Sequence, residues 1–265
     1  MNTPMNHGKG LMAAIILGLC TTATETGAEQ LDLYLLIGQS NMAGRGVVTP
    51  EDRKESDRVL ALNKDNKWVP AADPIHFDKK QAGVGPGRTF GLVMAKADQS
   101  ARIGLIPCAV GGTSIRKWKP GAKDGNTGTH PYDDMRTRLK VALQSGTVKG
   151  ILWHQGESDG KMGESGLYEP ALVELIKRVR ADCGDPSIPF LIGQLGQFEG
   201  RPWSEGRKKV DAAHRAVAGA VAHCAFVSSE GLTDKGDLTH FSAAAARALG
   251  ARYGRAMLEI QTRTR

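Results

Sequence analysis

Four short stretches of this chain gather the residue types that acyl-transfer chemistry uses. Gly38-Gln39-Ser40-Asn41-Met42 sets a serine between a glycine and a helix-compatible segment. A serine so placed can be a nucleophile at a helix N-terminus, where backbone N–H groups stabilise negative charge, or it can simply cap that helix. Gly111-Gly112-Thr113-Ser114 can bring N–H groups close to a ligand, as an oxyanion hole requires, although a glycine pair also makes a tight turn with no ligand. Trp153-His154-Gln155-Gly156-Glu157 offers an amide donor at Gln155, a carboxylate at Glu157 and, at His154, either a base or a structural histidine. Gly236-Asp237-Leu238-Thr239-His240 spaces an acid and an imidazole three residues apart. That spacing can aim both side chains at one cleft, the carboxylate holding the imidazole in the tautomer that accepts a serine's proton. Each stretch is a weak signal alone. Together they supply nucleophile, backbone donors, amide donor and acid–base pair.

The elements that must position these residues alternate. The continuous apolar run Leu33 to Ile37 predicts a strand buried on both faces. Further strands are expected from Ile103 to Val110, Gly150 to Trp153, Pro189 to Leu195 and Ala225 to Ser228. Helical spacing marks Arg88 to Gln99, Tyr132 to Gln144, Leu167 to Arg180, Arg207 to Ala222 and Phe241 to Ile260. The stretch from about Arg45 to Gly87 carries little periodicity and is expected to be loop-rich. Strand–helix alternation argues for one three-layer α/β/α sandwich with a central parallel sheet. In such sheets ligands bind at the carboxyl ends of the strands, and each of the four stretches follows a strand or precedes the last helix.

Composition fits one domain. The chain has 265 residues, 40% hydrophobic and 24% charged, enough for one sizeable core. The net charge is +7 and the pI about 9.3, but the basic residues are scattered and not interleaved with aromatics, so no nucleic-acid partner is expected. Lys9 followed by the apolar stretch Leu11 to Cys20 reads as a signal peptide over residues 1–28, too short to span a membrane. Cleavage after Ala23 or Ala28 leaves a single domain over 29–265, exported to the periplasm or the exterior. A lipid-modified Cys20 is the competing reading, and Leu19 fills the preceding position where a small residue is expected.

Of the remaining cysteines, Cys183 and Cys224 flank two expected strands. If those strands are neighbours, the pair can form a disulfide, with Cys108 a buried thiol; the alternative is three free thiols. No C-x-x-C or histidine spacing suggests zinc, so neither metal nor cofactor is expected.

The four stretches together resemble the motif set of the SGNH hydrolase superfamily, and more narrowly its sialate O-acetylesterase and acetylxylan-esterase branch. The resemblance runs from about Leu33 to Tyr253. It implies a flavodoxin-like fold and the removal of acetyl groups from sugar hydroxyls, without a metal. By position, Ser40 takes the role of nucleophile, His240 of base and Asp237 of orienting carboxylate. The N–H groups of Ser40 and Gly112 and the side chain of Gln155 would form the oxyanion hole, Gln155 standing where the superfamily usually has asparagine. Gln39, Glu157, Arg116 and Trp118 are candidates for touching the substrate. Trp68, Trp118 and Trp203 are each able to stack on a sugar or to pack, and Arg116 and Lys117 to meet a sugar carboxylate or to sit in solvent. Acetylated xylan and O-acetylated sialic acid both remain open as substrates. The rival functions are a general short-chain acyl esterase and a non-catalytic carbohydrate-binding protein on the same fold.

Overall fold

The first strand organises everything else. In the computed structural model, which describes Met1 and residues 30–161 and 165–263, β1 (Leu31–Gly38) is fully formed. Its alternation sends Leu33, Leu35 and Ile37 into one core and Tyr34 and Leu36 into the other. Each such buried side chain contributes ~1.5–3 kcal/mol. Residues 2–28 of the segment expected to be a signal peptide, Cys20 among them, lie outside the described residues.

The chain continues through α1 (Ser40–Ala43), β2 (Val59–Leu62), β3 (Trp68–Pro70), α2 (Pro86–Ala97), β4 (Ile103–Pro107) and α3 (Pro131–Ala142). It is completed by β5 (Gly146–His154), α4 (Tyr168–Cys183), β6 (Phe190–Gly193), α5 (Glu205–Ala220), β7 (Cys224–Val227) and α6 (Ala243–Arg263). Helix starts follow local chemistry. Pro86 and Pro131 occupy first turns, where a missing N–H costs nothing, and Ser204 Oγ caps α5 by accepting from Arg207 N at 3.3 Å.

The strands form one sheet in the order β3-β2-β4-β1-β5-β6-β7. Helices α3, α4 and α5 cover one face through Leu139, Leu175, Ile176 and Val210. Helices α2 and α6 cover the other through Phe90, Leu249, Tyr253 and Met257. The expected three-layer α/β/α sandwich is present. Its sheet is mostly parallel, with one correction: the edge strand β3 runs antiparallel to β2, Leu62 pairing with Trp68. The stretch from Arg45 to Gly87, expected to be loop-rich, contains both of these strands. They are four and three residues long, too short to display a period. The turn between them is held by Asn63 Oδ1, which accepts from the N–H groups of Asp65 and Lys67 at 2.9 Å each.

From β1 the chain moves outward to β2, returns to β4 beside β1, then passes β1 to build β5, β6 and β7 on the far side. Connections leaving β1 and β5 therefore diverge. The crevice between their carboxyl ends is where a parallel sheet opens a ligand site.

The expected pairing of β6 with β7 is present, Phe190 opposite Cys224, but the expected disulfide is not: Cys183 and Cys224 are both free thiols. Arg180 occupies that corner instead. Buried at 6% exposure, it donates to the carbonyls of Ile188, Ala222 and His223 at 2.9 Å each and approaches Cys224 Sγ at 3.6 Å. Among the described residues no helix is long and apolar enough to cross a membrane.

Candidate active site

At the end of β1 the backbone turns sharply. Gly38 has φ +129°, and a Cβ there would lie 2.2 Å from the His154 carbonyl oxygen, so only glycine fits where β1 and β5 meet. Gln39 N then donates to His154 O at 2.9 Å. Ser40 opens the single turn α1 and makes no capping bond; the N-cap position belongs to Gln39. The serine's hydroxyl is engaged elsewhere: His240 Nε2 lies 3.0 Å from Ser40 Oγ.

The loop between β7 and α6 carries the other partners. His240 Nδ1 is 2.7 Å from Asp237 Oδ2, and Asp237 Oδ1 accepts from the N–H groups of His240 at 2.8 Å and Thr239 at 3.0 Å. Lys235 Nζ stands 3.2 Å from Oδ2. Partial burial works to raise the Asp237 carboxyl, but the hydrogen bonds from His240, Lys235 and Thr239 outweigh it and hold the group well below the usual carboxylate range. With an ionised acceptor on Nδ1, the imidazole carries its proton there and presents a bare Nε2 to the serine. Asp234 plays no such part. Its Oδ2 accepts from Gly236 N at 2.8 Å and Leu238 N at 2.7 Å, shaping the loop in which Leu238 takes φ +51°.

Asn41, which the motif contains but to which the sequence assigned no role, ties these parts together. Its Nδ2 donates to Glu157 Oε1 at 2.6 Å and Thr239 O at 3.1 Å, and its Oδ1 accepts from Phe241 N at 3.2 Å. One buried amide thus joins the serine's turn, the loop after β5 and the histidine's loop. A polar residue next to a nucleophile, on a segment too short to bury it harmlessly, was the available signal. Arg201 braces the same loop from outside, donating to Thr239 Oγ1 at 2.8 Å. Phe241 packs edge-on against His154 and Phe198, each at 5.6 Å.

The glycine pair lies beside the serine. A Cβ on Gly111 would sit 3.5 Å from Ser40 Cβ, and Gly112 adopts φ +87°. Among the described residues, neither Ser40 N–H nor Gly112 N–H has a protein partner, so both are available to an anion.

Three expected site residues are placed differently. Gln155 is fully buried, and its Nε2 faces Asp159 Oδ2 at 2.5 Å, Thr113 O at 2.9 Å and Gln39 Oε1 at 3.1 Å. Two amide protons cannot serve more acceptors than these, so Gln155 is not placed as an oxyanion donor. It ties the loop after β5 to the loop after β4, with Tyr168 OH 2.9 Å from its Oε1. Glu157, at 5% exposure, is built into the site as the acceptor for Asn41 and is not presented to a substrate. Trp118 is fully buried, edge-on to Trp153 at 5.5 Å, with Nε1 donating to Thr113 Oγ1 at 3.2 Å; it is a packing residue.

Gln39 is buried and accepts from Gln155, while Arg116 is exposed beyond the glycine turn. His154 is the structural histidine: burial pushes its imidazole toward the neutral form, against the pull of Glu157, and Nδ1 is 3.3 Å from Tyr253 OH. Trp203 is half-buried, its Nε1 donating to Gly196 O at 2.8 Å. With Phe198 and Arg201 it lines a cavity of about 450 Å³ next to the histidine's loop. No group of three His, Cys, Asp or Glu among the described residues is arranged to hold a metal ion.

A mostly parallel seven-stranded sheet between helix layers is the architecture of the SGNH carbohydrate esterases, and in this chain Ser40, His240 and Asp237 gather at its carboxyl edge. Residues 30–259 match the family described as carbohydrate esterase, sialic acid-specific acetylesterase, and the chain belongs to that family. It is 32% identical over 248 residues to a probable carbohydrate esterase of Arabidopsis thaliana, covering 85% of this chain and 90% of that one. The crystal structure of the Arabidopsis protein superposes with a TM-score of 0.75 at 31% identity, over 87% of this chain and 98% of that one. Two more distant structures share the fold. NanS gives a TM-score of 0.70 at 17% identity, over 89% of this chain and 99% of its own. A carbohydrate acetylesterase from Xanthomonas citri gives 0.67 at 21%, over 86% of this chain and 56% of its own.

Proposed function

We propose that this carbohydrate esterase removes O-acetyl groups from sugars through an acetyl-enzyme on Ser40. The observation that carries the reading is the unbroken chain Ser40 Oγ–His240 Nε2, 3.0 Å, and His240 Nδ1–Asp237 Oδ2, 2.7 Å. His240 takes the hydroxyl proton as Ser40 Oγ bonds to the acetyl carbonyl carbon. The carbonyl oxygen becomes an oxyanion facing the free N–H groups of Ser40 and Gly112. His240 then gives its proton to the departing sugar oxygen, and water attacks the acetyl-enzyme by the same route. Asp237 stays ionised throughout and stabilises the imidazolium.

Two substrate classes are candidates: O-acetylated sialic acid, in keeping with the family's description, and acetylated xylan, which the motif resemblance implies. Export behind the leader in residues 1–28 suits either polymer-derived substrate. The test is hydrolysis of 4-nitrophenyl acetate, acetylated xylan and O-acetylated sialic acid by wild type, Ser40→Ala and His240→Ala. Both substitutions are expected to lower turnover by at least ~10³-fold without altering the far-ultraviolet spectrum. Near-wild-type turnover in either folded variant sinks the triad, and preference for long acyl esters over acetyl esters moves the protein to the general esterases.

A further inference from the structure

The segment before α2 reaches into the active site at one point. Asp78 and Arg45 form an ion pair whose side chains are only 1% and 6% exposed, with Arg45 Nη2 2.6 Å from Asp78 Oδ2 and Nη1 3.3 Å from Oδ1. Asp78 Oδ2 also accepts from Gly111 N at 2.8 Å. On the other side, Arg45 Nη1 donates to Gly44 O at 2.6 Å, and Gly44 N closes α1 by donating to Ser40 O at 2.9 Å. A continuous path of hydrogen bonds therefore runs from the serine's own turn, through a buried pair of charges, to the glycine turn that would carry the oxyanion donor. Gly111 approaches so closely that its Cβ position falls 2.4 Å from Arg45 Nη2 and 3.5 Å from Ser40 Cβ. The same segment also brings Lys79 Nζ to 3.8 Å from the Cβ position of Gly112.

A buried ion pair is a costly way to gain stability, because desolvation cancels much of the attraction. It is an effective way to fix two loops at a set distance, since a carboxylate accepting from both a guanidinium and a backbone N–H has little freedom left. We propose that Asp78 and Arg45 are positioning residues for acyl transfer. They hold the Gly111–Gly112 turn against α1, so that Gly112 N–H points where the oxyanion forms. The inference rests on the serine-esterase reading above. Oxyanion donors act only when aimed at the transition state, so loosening the turn lowers kcat and leaves KM nearly unchanged.

The test separates positioning from stability. Removing one charge alone strands the other and can unfold the protein, so the pair is replaced together as Arg45→Met with Asp78→Leu, a swap that buried pairs tolerate. A second protein carries Arg45→Met with Asp78→Asn, which restores a carbonyl oxygen for Gly111 N–H without charge. Thermal melting, kcat and KM for 4-nitrophenyl acetate, and inhibition by methylboronic acid, whose serine adduct is a tetrahedral anion, are measured for both. The apolar pair is expected to melt near wild type, to lose ~10–100-fold in kcat with KM within about threefold, and to bind the boronic acid correspondingly more weakly. The asparagine variant recovers most of both losses. Retained kcat in the apolar pair, a loss in kcat without a loss in boronic acid affinity, or no recovery with asparagine overturns the proposal. An inactive wild type that ignores the boronic acid would instead overturn the esterase reading itself.

Discussion

Asp234 and Asp237 stand three residues apart in one loop, and their hydrogen bonds divide the labour between them. Asp237 receives His240 through both side chain and backbone, whereas Asp234 receives only the N–H groups of Gly236 and Leu238. Asp237→Asn keeps the shape but offers the imidazole an amide, which can stabilise the wrong tautomer. It is expected to lower kcat by ~10²–10⁴-fold, and Asp234→Asn by less than about tenfold. Steady-state kinetics on the two variants decides, and equal losses would reassign the orienting carboxylate. At this scale the sequence was legible where one residue's role needs only its neighbours. The Asp-x-x-His spacing already permits the 2.7 Å contact. It was not legible where the role depends on distant acceptors: Gln155 looked like a free amide, and the groups that occupy it, Asp159 and Thr113, lie outside its motif.

Among the elements, the stretch from Arg45 to Gly87 was the least legible and proves the most consequential. Besides the short strands β2 and β3, it holds Asp73, a carboxyl at 2% exposure. Burial is the chief cause that raises this group to about 7, with Arg88 and the N–H groups of Gly85 and Ile75 drawing it down. The folded state therefore keeps a proton that the unfolded chain, with an ordinary value of 3.8, has already released. The sign follows: this group's contribution to stability is greatest below about pH 4, declines as the pH rises toward 7 and is level above that. The decline is on the order of a few kcal/mol. Asp73→Asn is expected to flatten the fall in melting temperature between pH 5 and pH 8; parallel slopes in wild type and variant would refute it. Apolar periodicity cannot reveal such a segment, because single polar contacts fix it. The long helices are the opposite case. In α4, Leu172, Leu175, Ile176 and Val179 repeat at helical spacing, and all are fully buried.

For the molecule as a whole, helix–sheet alternation was enough to infer the layers and the mostly parallel sheet, but not what seals its lower corner. There Arg180 bridges α4 to the strand starts, and the cysteines stay reduced. Burial pushes the Cys183 thiol up to about 12 and the Cys108 and Cys224 thiols to about 11, so none is a ready thiolate. Alkylation of unfolded, unreduced protein followed by peptide mapping is expected to label all three; protection of Cys183 and Cys224 together would restore the disulfide. The layout has a further consequence, for biosynthesis. Ser40 leaves the first strand and meets His240, 200 residues later, only when the loop beyond the last strand has docked. Chains lengthen at ~5–20 residues per second, so for many seconds a growing polypeptide carries the serine with no base to arm it. If His240 is the base, any chain halted before that loop is expected to stay inactive, however much of the sheet it has assembled. On the proposed mechanism, the appearance of hydrolytic activity times the last docking event, and a stalled or clipped product is expected to be inactive.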